Sequence, residues 1–164
     1  MSEYQVLAKL LLLRNLITDD VYEKVKKKLY KPENTLSFEE ILIQDFNIDR
    51  DKIYSEVAKL YAIPKKVINL SELTEVEIEE IKSLIEQLPK VIKQEAYEKK
   101  IIPFKVLKRK NDTLVILSSL PTESLPKVIA NHLKLKRYEV IYSPHNSIKE
   151  IIQKVKDTDA TILI

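Results

Sequence analysis

The chain has 164 residues, 28 Lys and Arg against 25 Asp and Glu, no glycine, no cysteine and two histidines, His132 and His145. Without glycine it cannot build a G-x-x-x-x-G-K phosphate loop or a G-x-G-x-x-G turn, since both need positive φ and close approach of backbone to phosphate. Without cysteine it has no disulfide, no thiolate nucleophile and no Cys-ligated zinc, and a net charge of +3 is too mild for a nucleic-acid-binding face.

The first stretch reads as a helix through Leu7, Leu10, Leu11 and Arg14, with Leu12 and Leu13 widening its apolar face. Such a helix is either buried between neighbours or offers one side to a partner. Thr18 is a good N-cap for a second helix, with Asp19 and Asp20 in its first turn and Val21, Val25 and Leu29 along one side. Its last turn carries Lys24, Lys26, Lys27 and Lys28, and Pro32 and Asn34 then break the chain. Ser37 and Glu40 form a capping box for a third helix, and Leu36 and Ile41 form the hydrophobic staple around it. Phe38, Ile41, Leu42 and Asp45 share a side there. Asp49 caps a fourth helix whose stripe is Ile53, Val57, Leu60 and Tyr61, and Pro64 closes it.

The character then changes. Val67 to Leu70 reads as a short extended piece. Thr74 and Glu77 make a second capping box, ahead of the stripe Ile78, Ile81, Leu84, Ile85 and Leu88. A short helix after Pro89 carries Val91, Ile92 and Ala96. Phe104 to Lys108 and Thr113 to Ser118 read as strands joined by Asn111-Asp112, hence a hairpin, and the unbroken run Leu114 to Leu117 suits a strand buried on both faces. A helix follows with Leu125, Val128, Ile129 and Leu133. Tyr138 to Tyr142 is a third strand, far enough along the chain to lie parallel to the second. Ser143 is expected to cap a last helix, with Pro144 at its first position and Ile148, Ile151, Ile152 and Val155 as its stripe.

These elements predict an α+β protein: an N-terminal helical bundle followed by a small three-stranded mixed sheet packed with helices. The divisions expected are 1–62 for a helical subdomain with two degenerate repeats, 63–157 for an α/β subdomain, and 158–164 for a tail or the start of a linker. The apolar end Ala160 to Ile164 reads as a cut end or the start of that linker. No stretch of 18 apolar residues exists, and Met1-Ser2-Glu3-Tyr4 lacks a basic leader, so neither a span nor a signal peptide is read.

Charge is clustered. Lys24 to Lys31 and Lys99 to Lys110 are basic runs, and Glu72 to Glu86 is an acidic block with only Lys82 inside it. They read as solvated helix ends and guarded strand edges, or as docking faces for an acidic protein or an anionic membrane surface. His132 falls in a helical segment and His145 beside a helix start, with no nucleophile close in sequence. No catalytic, cofactor-binding or metal-ligating set is assigned, and the chain is read as a non-enzyme.

An internal echo lays Leu12 to Val21 over Ile43 to Lys52, 31 residues on; in both, a helix ends in an apolar residue and a capping Thr or Asp opens the next. The first copy, Val6-Leu7-Ala8-Lys9-Leu10-Leu11-Leu12-Leu13-Arg14-Asn15-Leu16-Ile17-Thr18, resembles the repeated R-L-G-E-L-L-x-x-x-G-L-I-T pattern of a known family. So does the second, Ser37 to Asp49, followed by Val57-Ala58-Lys59-Leu60-Tyr61-Ala62-Ile63-Pro64. Leu88-Pro89, Ile102-Pro103-Phe104, Asp112 to Pro121 and Ser143 to Ile152 extend the likeness over residues 4 to 156. The family is the N-terminal domain of the hexameric ATPases of type II secretion and type IV pilus assembly.

The resemblance implies a non-catalytic docking and regulatory domain. Its partners would be the cytoplasmic domain of an inner-membrane platform protein and, in a longer chain, an ATPase motor. Its place would be cytoplasmic, peripheral at the inner membrane through a partner. The candidate docking residues are Tyr4, Leu12 and Leu13 on the first helix and Lys24 and Lys27 on the second. Some members bind cyclic di-GMP through Arg and Gly in each repeat. Here the Arg positions hold Val6 and Ser37, the Gly positions Ala8 and Glu39, and a later Gln position Leu60, so cyclic di-GMP is not expected to bind in that mode. No nucleic-acid partner is expected. The alternative function is a nucleotide-binding regulatory domain of altered specificity.

Overall fold

The structure, a computed structural model, describes residues 3–109 and 111–162, with side chains over 4–109 and 111–158. The chain divides into two compact units, Met1–Tyr61 and Ala62–Ile164. The side chains of the apolar end Ala160 to Ile164, and the start Met1-Ser2, lie outside the described residues.

The first unit holds four helices, α1 (Glu3–Leu13), α2 (Asp19–Leu29), α3 (Phe38–Phe46) and α4 (Arg50–Leu60). Their starts follow from side-chain caps. Thr18 Oγ1 accepts from the amide of Val21 at 3.2 Å. Ser37 Oγ accepts from Glu40 N at 3.2 Å, while Ser37 N donates to Glu40 Oε1 at 3.4 Å, so the capping box is closed in both directions. α1 packs on α4 and α2 on α3. Between them Leu7, Ala8, Leu11, Ile17, Val25, Phe38, Ile41, Leu42, Ile53 and Val57 form one buried cluster. One carboxylate is buried at its margin. Glu56 meets Arg14 Nε at 3.2 Å and Lys59 Nζ at 3.4 Å, and both cations keep more than half of their side chains in water. Two expectations fail here. Arg14 lies beyond the end of α1, and Tyr61, expected in the buried stripe, is 42 % exposed because α4 ends at Leu60.

A chain without glycine still has to terminate helices, and it does so with side chains in the left-handed region. Among the described residues, Asn15, Asn47, Ala62, Lys100 and Lys134 hold φ between 55° and 59°, each just past a helix. Asn tolerates this region; Lys and Ala are strained there by contact of Cβ with the following carbonyl oxygen. The substitution Lys134→Gly is therefore expected to stabilise the fold by about 0.5–1 kcal/mol, the relief of strain exceeding the entropy glycine adds to the unfolded chain. A rise in urea midpoint at unchanged slope checks it. Asn15 lies three residues before the cap Thr18 and Asn47 two before the cap Asp49, so the left-handed residues fall one position out of register at offset 31.

The second unit begins with a 3₁₀ turn, Leu70–Glu72, followed by α5 (Glu75–Glu86), α6 (Lys90–Lys99), β1 (Ile101–Leu107), β2 (Thr113–Ser118), α7 (Leu125–His132), β3 (Arg137–Tyr142) and α8 (His145–Ile162). The sheet order is β1-β2-β3, with β1 antiparallel and β3 parallel to β2. A bulge at Phe104, between Pro103 and Lys105, shifts the register. It is required by the pattern: Ile101 and Val106 pack in one cluster, yet an odd spacing would send them to opposite faces. Helices cover both faces. α5 and α8 bury Ile102, Phe104, Val115 and Leu117; α6 and α7 bury Ile101, Leu114 and Ile116. All six residues of β2 are buried, as the apolar run requires.

Several expected details change. The extended piece at Val67 reaches only Asn69, because Leu70 enters the 3₁₀ turn, and it joins no named strand; among the described residues the bridge beside it is Lys65 to Tyr142. Val91 faces solvent on α6. β1 starts three residues before Phe104 and ends at Leu107. The hydroxyl of Ser143 donates to the carbonyl of Lys66 at 2.6 Å, and the helix instead begins with the Pro144 carbonyl accepting from Ile148. The α5 capping box does form. The amide and hydroxyl of Thr74 both donate to Glu77 at 3.1 Å, and these bonds, the amide's first, hold the Glu77 carboxyl below the usual carboxylate range.

Candidate functional site

The five predicted docking residues occupy two different ends of one helical hairpin. Tyr4, at the start of α1, is half-buried, with its ring centroid 5.5 Å from that of Phe38 and 6.4 Å from that of Tyr30. Its hydroxyl hydrogen-bonds the Tyr30 hydroxyl, and that bond raises the Tyr30 pKa above the ordinary phenol value. Because Tyr30 directly follows α2, the start of α1 lies against the end of α2, and the two helices run antiparallel. Leu13 therefore stands at the end of the hairpin that carries Asp19 and Asp20, and is 80 % exposed. Lys27 is eight positions along α2 from Asp19, about 12 Å further along the axis. Lys24 pairs with Asp20 at 3.1 Å. Leu12 is half-buried against the core.

The structure thus joins Tyr4 with the lysine end of α2 and separates both from Leu13. Tyr30, 68 % exposed beside Tyr4, was not singled out by the sequence. Its signal is only a tyrosine after a lysine run, which periodicity does not distinguish from a frayed helix end.

The repeat positions that the resemblance marks for ligand contact are built into the bundle. Ala8 is fully buried and Val6 half-buried on α1, Leu60 packs against the core, and Ser37 spends its hydroxyl on the Glu40 amide. Glu39 is half-buried in the first turn of α3, where its charge complements the helix dipole.

In the second unit, an open cleft of about 510 Å³ lies where the β1–β2 hairpin meets the start of β3, and Arg109, Thr113, Lys136, Arg137, Tyr138 and Glu139 line it. Arg109 Nη1 donates to Glu139 Oε1 at 2.9 Å. At the opposite end of the sheet Lys99 pairs with Glu95 at 2.9 Å and Glu123 at 3.1 Å, which raises its pKa, the Glu95 bond contributing most. Among the described residues no group of three or more His, Cys, Asp or Glu side chains is placed to hold a metal, and no helix is long and apolar enough to cross a membrane.

Comparison with solved structures places this arrangement. The structure of MshE with cdg superposes with a TM-score of 0.60 at 20% identity, over 92% of this chain and 96% of that one. The N-terminal domain of XpsE superposes with a TM-score of 0.58 at 12% identity, over 93% and 95%. The chain has the fold shared by MshE and the N-terminal domain of XpsE. At these identities the likeness is one of fold, and it spans both units. No protein-family model and no curated protein matches the sequence.

Proposed function

We propose that this chain is a non-catalytic docking and regulatory module of a type II secretion or type IV pilus ATPase system, one that couples a motor to the cytoplasmic part of an inner-membrane platform protein. The observation that carries this reading is the end-to-end match to MshE and XpsE in a chain whose composition excludes a phosphate loop. Its place would be cytoplasmic, held at the inner membrane through the partner. Docking would use the end of the α1–α2 hairpin at Leu13, with Leu12 behind it and the first-turn carboxylates Asp19 and Asp20 beside it; Tyr4 and Lys27, at the other end of the hairpin, would form a separate contact. An exposed leucine rimmed by charge is the composition of an interface centre and its rim.

The test is capture of the chain by the platform protein's cytoplasmic domain. Leu13→Asp should abolish capture and leave the melting temperature unchanged, since the side chain is in water in the free protein. Capture at wild-type strength would remove this surface from the account.

Cyclic di-GMP is not expected to be the regulator, although MshE was solved with cdg. A guanidinium and a bare backbone are needed to engage guanine and phosphate, and this chain presents Val6, Ala8, Ser37 and Glu39 instead, with Ala8 committed to the core and Ser37 to the helix cap. Calorimetry with cyclic di-GMP should show no heat in the micromolar range. Micromolar binding would overturn this part of the reading.

A further inference from the structure

Among the described residues, two of the three cations at the mouth of the sheet have no ion-pair partner. Arg137 and Thr113 pair in register, as do Glu139 and Val115, so all four side chains leave the sheet on the face that α5 and α8 cover further along. Beyond that cover lies the cleft, and among the described residues its lining holds three cations, Arg109, Lys136 and Arg137, and one carboxylate, Glu139. Glu139 is taken by Arg109. Lys136 and Arg137 are exposed, and among the described residues neither has an ion-pair partner. The wall is completed by Thr113, whose hydroxyl donates to the Asn111 carbonyl at 3.2 Å, and by Tyr138 at the rim, 40 % exposed.

We propose that this cleft binds the phosphate monoester group of a small organic ligand or a lipid headgroup. Among the described lining residues, three cations against one carboxylate leave two positive charges, which matches a phosphate monoester carrying about −1.5 to −2 at neutral pH. Arg137 supplies the planar fork that meets two phosphate oxygens at once, and Lys136 a mobile point charge. Arg109 is held in place by Glu139, so its remaining donors are already oriented. The volume is that of an ordinary small-molecule site. The cleft is remote in sequence from the helical repeats, and the proposal stands whether or not the docking reading does.

The competing explanation is that Lys136 and Arg137 only keep the edge strand β3 from pairing with other chains. Nitrogen-15 NMR titration of the whole chain separates the two. Inorganic phosphate and adenosine 5′-monophosphate should each shift the amides of residues 111–113 and 136–139 saturably. The double variant Lys136→Glu, Arg137→Glu should weaken both at least tenfold while the spectrum elsewhere is unchanged. Tighter binding of adenosine monophosphate than of phosphate would assign the site to a soluble ligand. Sedimentation with vesicles containing phosphatidic acid, lost in the double variant and absent with phosphatidylcholine, would assign it to a headgroup. Absence of saturable shifts with phosphate, adenosine monophosphate and phosphatidic acid vesicles would overturn the proposal. So would equal affinity in the double variant, or shifts confined to other residues.

Discussion

Truncation of Phe38 to alanine is expected to cost the helical unit about 3–5 kcal/mol, the range for removing a buried aromatic side chain. Phe38 is the first residue of α3, set directly after the Ser37 cap, and is 2 % exposed. Its ring meets Tyr4 of α1 at 5.5 Å and Tyr22 of α2 edge-on at 6.2 Å and 86°. One side chain therefore ties three helices, and each aromatic pair adds about 0.5–1.5 kcal/mol beyond the area it buries. The unit is only 61 residues, and cores of that size leave little stability in reserve. Urea unfolding followed by the near-ultraviolet dichroism of the tyrosines reads the change, and the Tyr4 and Tyr22 signals should lose intensity in the native baseline as well. Phe38→Leu should recover more than half of the loss because it refills most of the volume. A Phe38→Ala protein with an unmoved midpoint would mean that the bundle is held together elsewhere.

That corner lies at the end of the hairpin opposite the expected platform interface at Leu13. Tyr4 is positioned by Phe38 and Tyr30, so the lysine end of the hairpin should lose order in Phe38→Ala while Leu13, at the far end and already in water, keeps its exposure. Comparing capture by the two variants thus separates a surface defect from loss of the scaffold.

Elements with a local cause were readable from the residues. Both capping boxes lie within four residues of sequence, and each fixed a helix start in the structure. The β2 run announced a doubly buried strand because four consecutive apolar side chains cannot all be satisfied on one face. The parallel pairing of β3 followed from crossover length. What escaped was set by distant partners. Ser143 looks like a cap in its own sequence, but the carbonyl of Lys66, 77 residues earlier, takes its hydroxyl. Val67 to Leu70 reads as extended because of its β-branched residues, yet β3 offers that edge only the Lys65 bridge. The basic cleft is not legible because two of its three described cations, Lys136 and Arg137, lie in a short run far from the hairpin run that carries Arg109. Only the register of β2 with β3 brings the two together. An apolar run beside a lysine run reads as one patch in the sequence, and nothing local reports that an antiparallel hairpin places Leu13 and Lys27 at opposite ends.

In the second unit the largest effect is expected from Leu117→Ala, about 2–5 kcal/mol. Leu117 is fully buried on the central strand, against Ile81 and Ile85 of α5 and Ile148, Ile151 and Ile152 of α8. The cost of such a deletion depends on how far the walls can close on the space left behind. Here β2 is hydrogen-bonded on both sides, to Ile102 of β1 and Ile141 of β3 in register, so the floor of the cavity cannot move. The roof is two helices whose isoleucines are stiff at χ1. Neither wall yields easily, which places the loss in the upper half of the range. Leu117→Ile keeps the volume and suits a strand, and should cost less than about 1.5 kcal/mol. Val91→Ala, a deletion of similar chemistry on the exposed face of α6, should stay within about 0.5 kcal/mol of wild type. The three variants compared by urea midpoint at constant slope test the layered core directly. Equal losses in Leu117→Ala and Val91→Ala would mean that β2 is not the buried centre of the sheet.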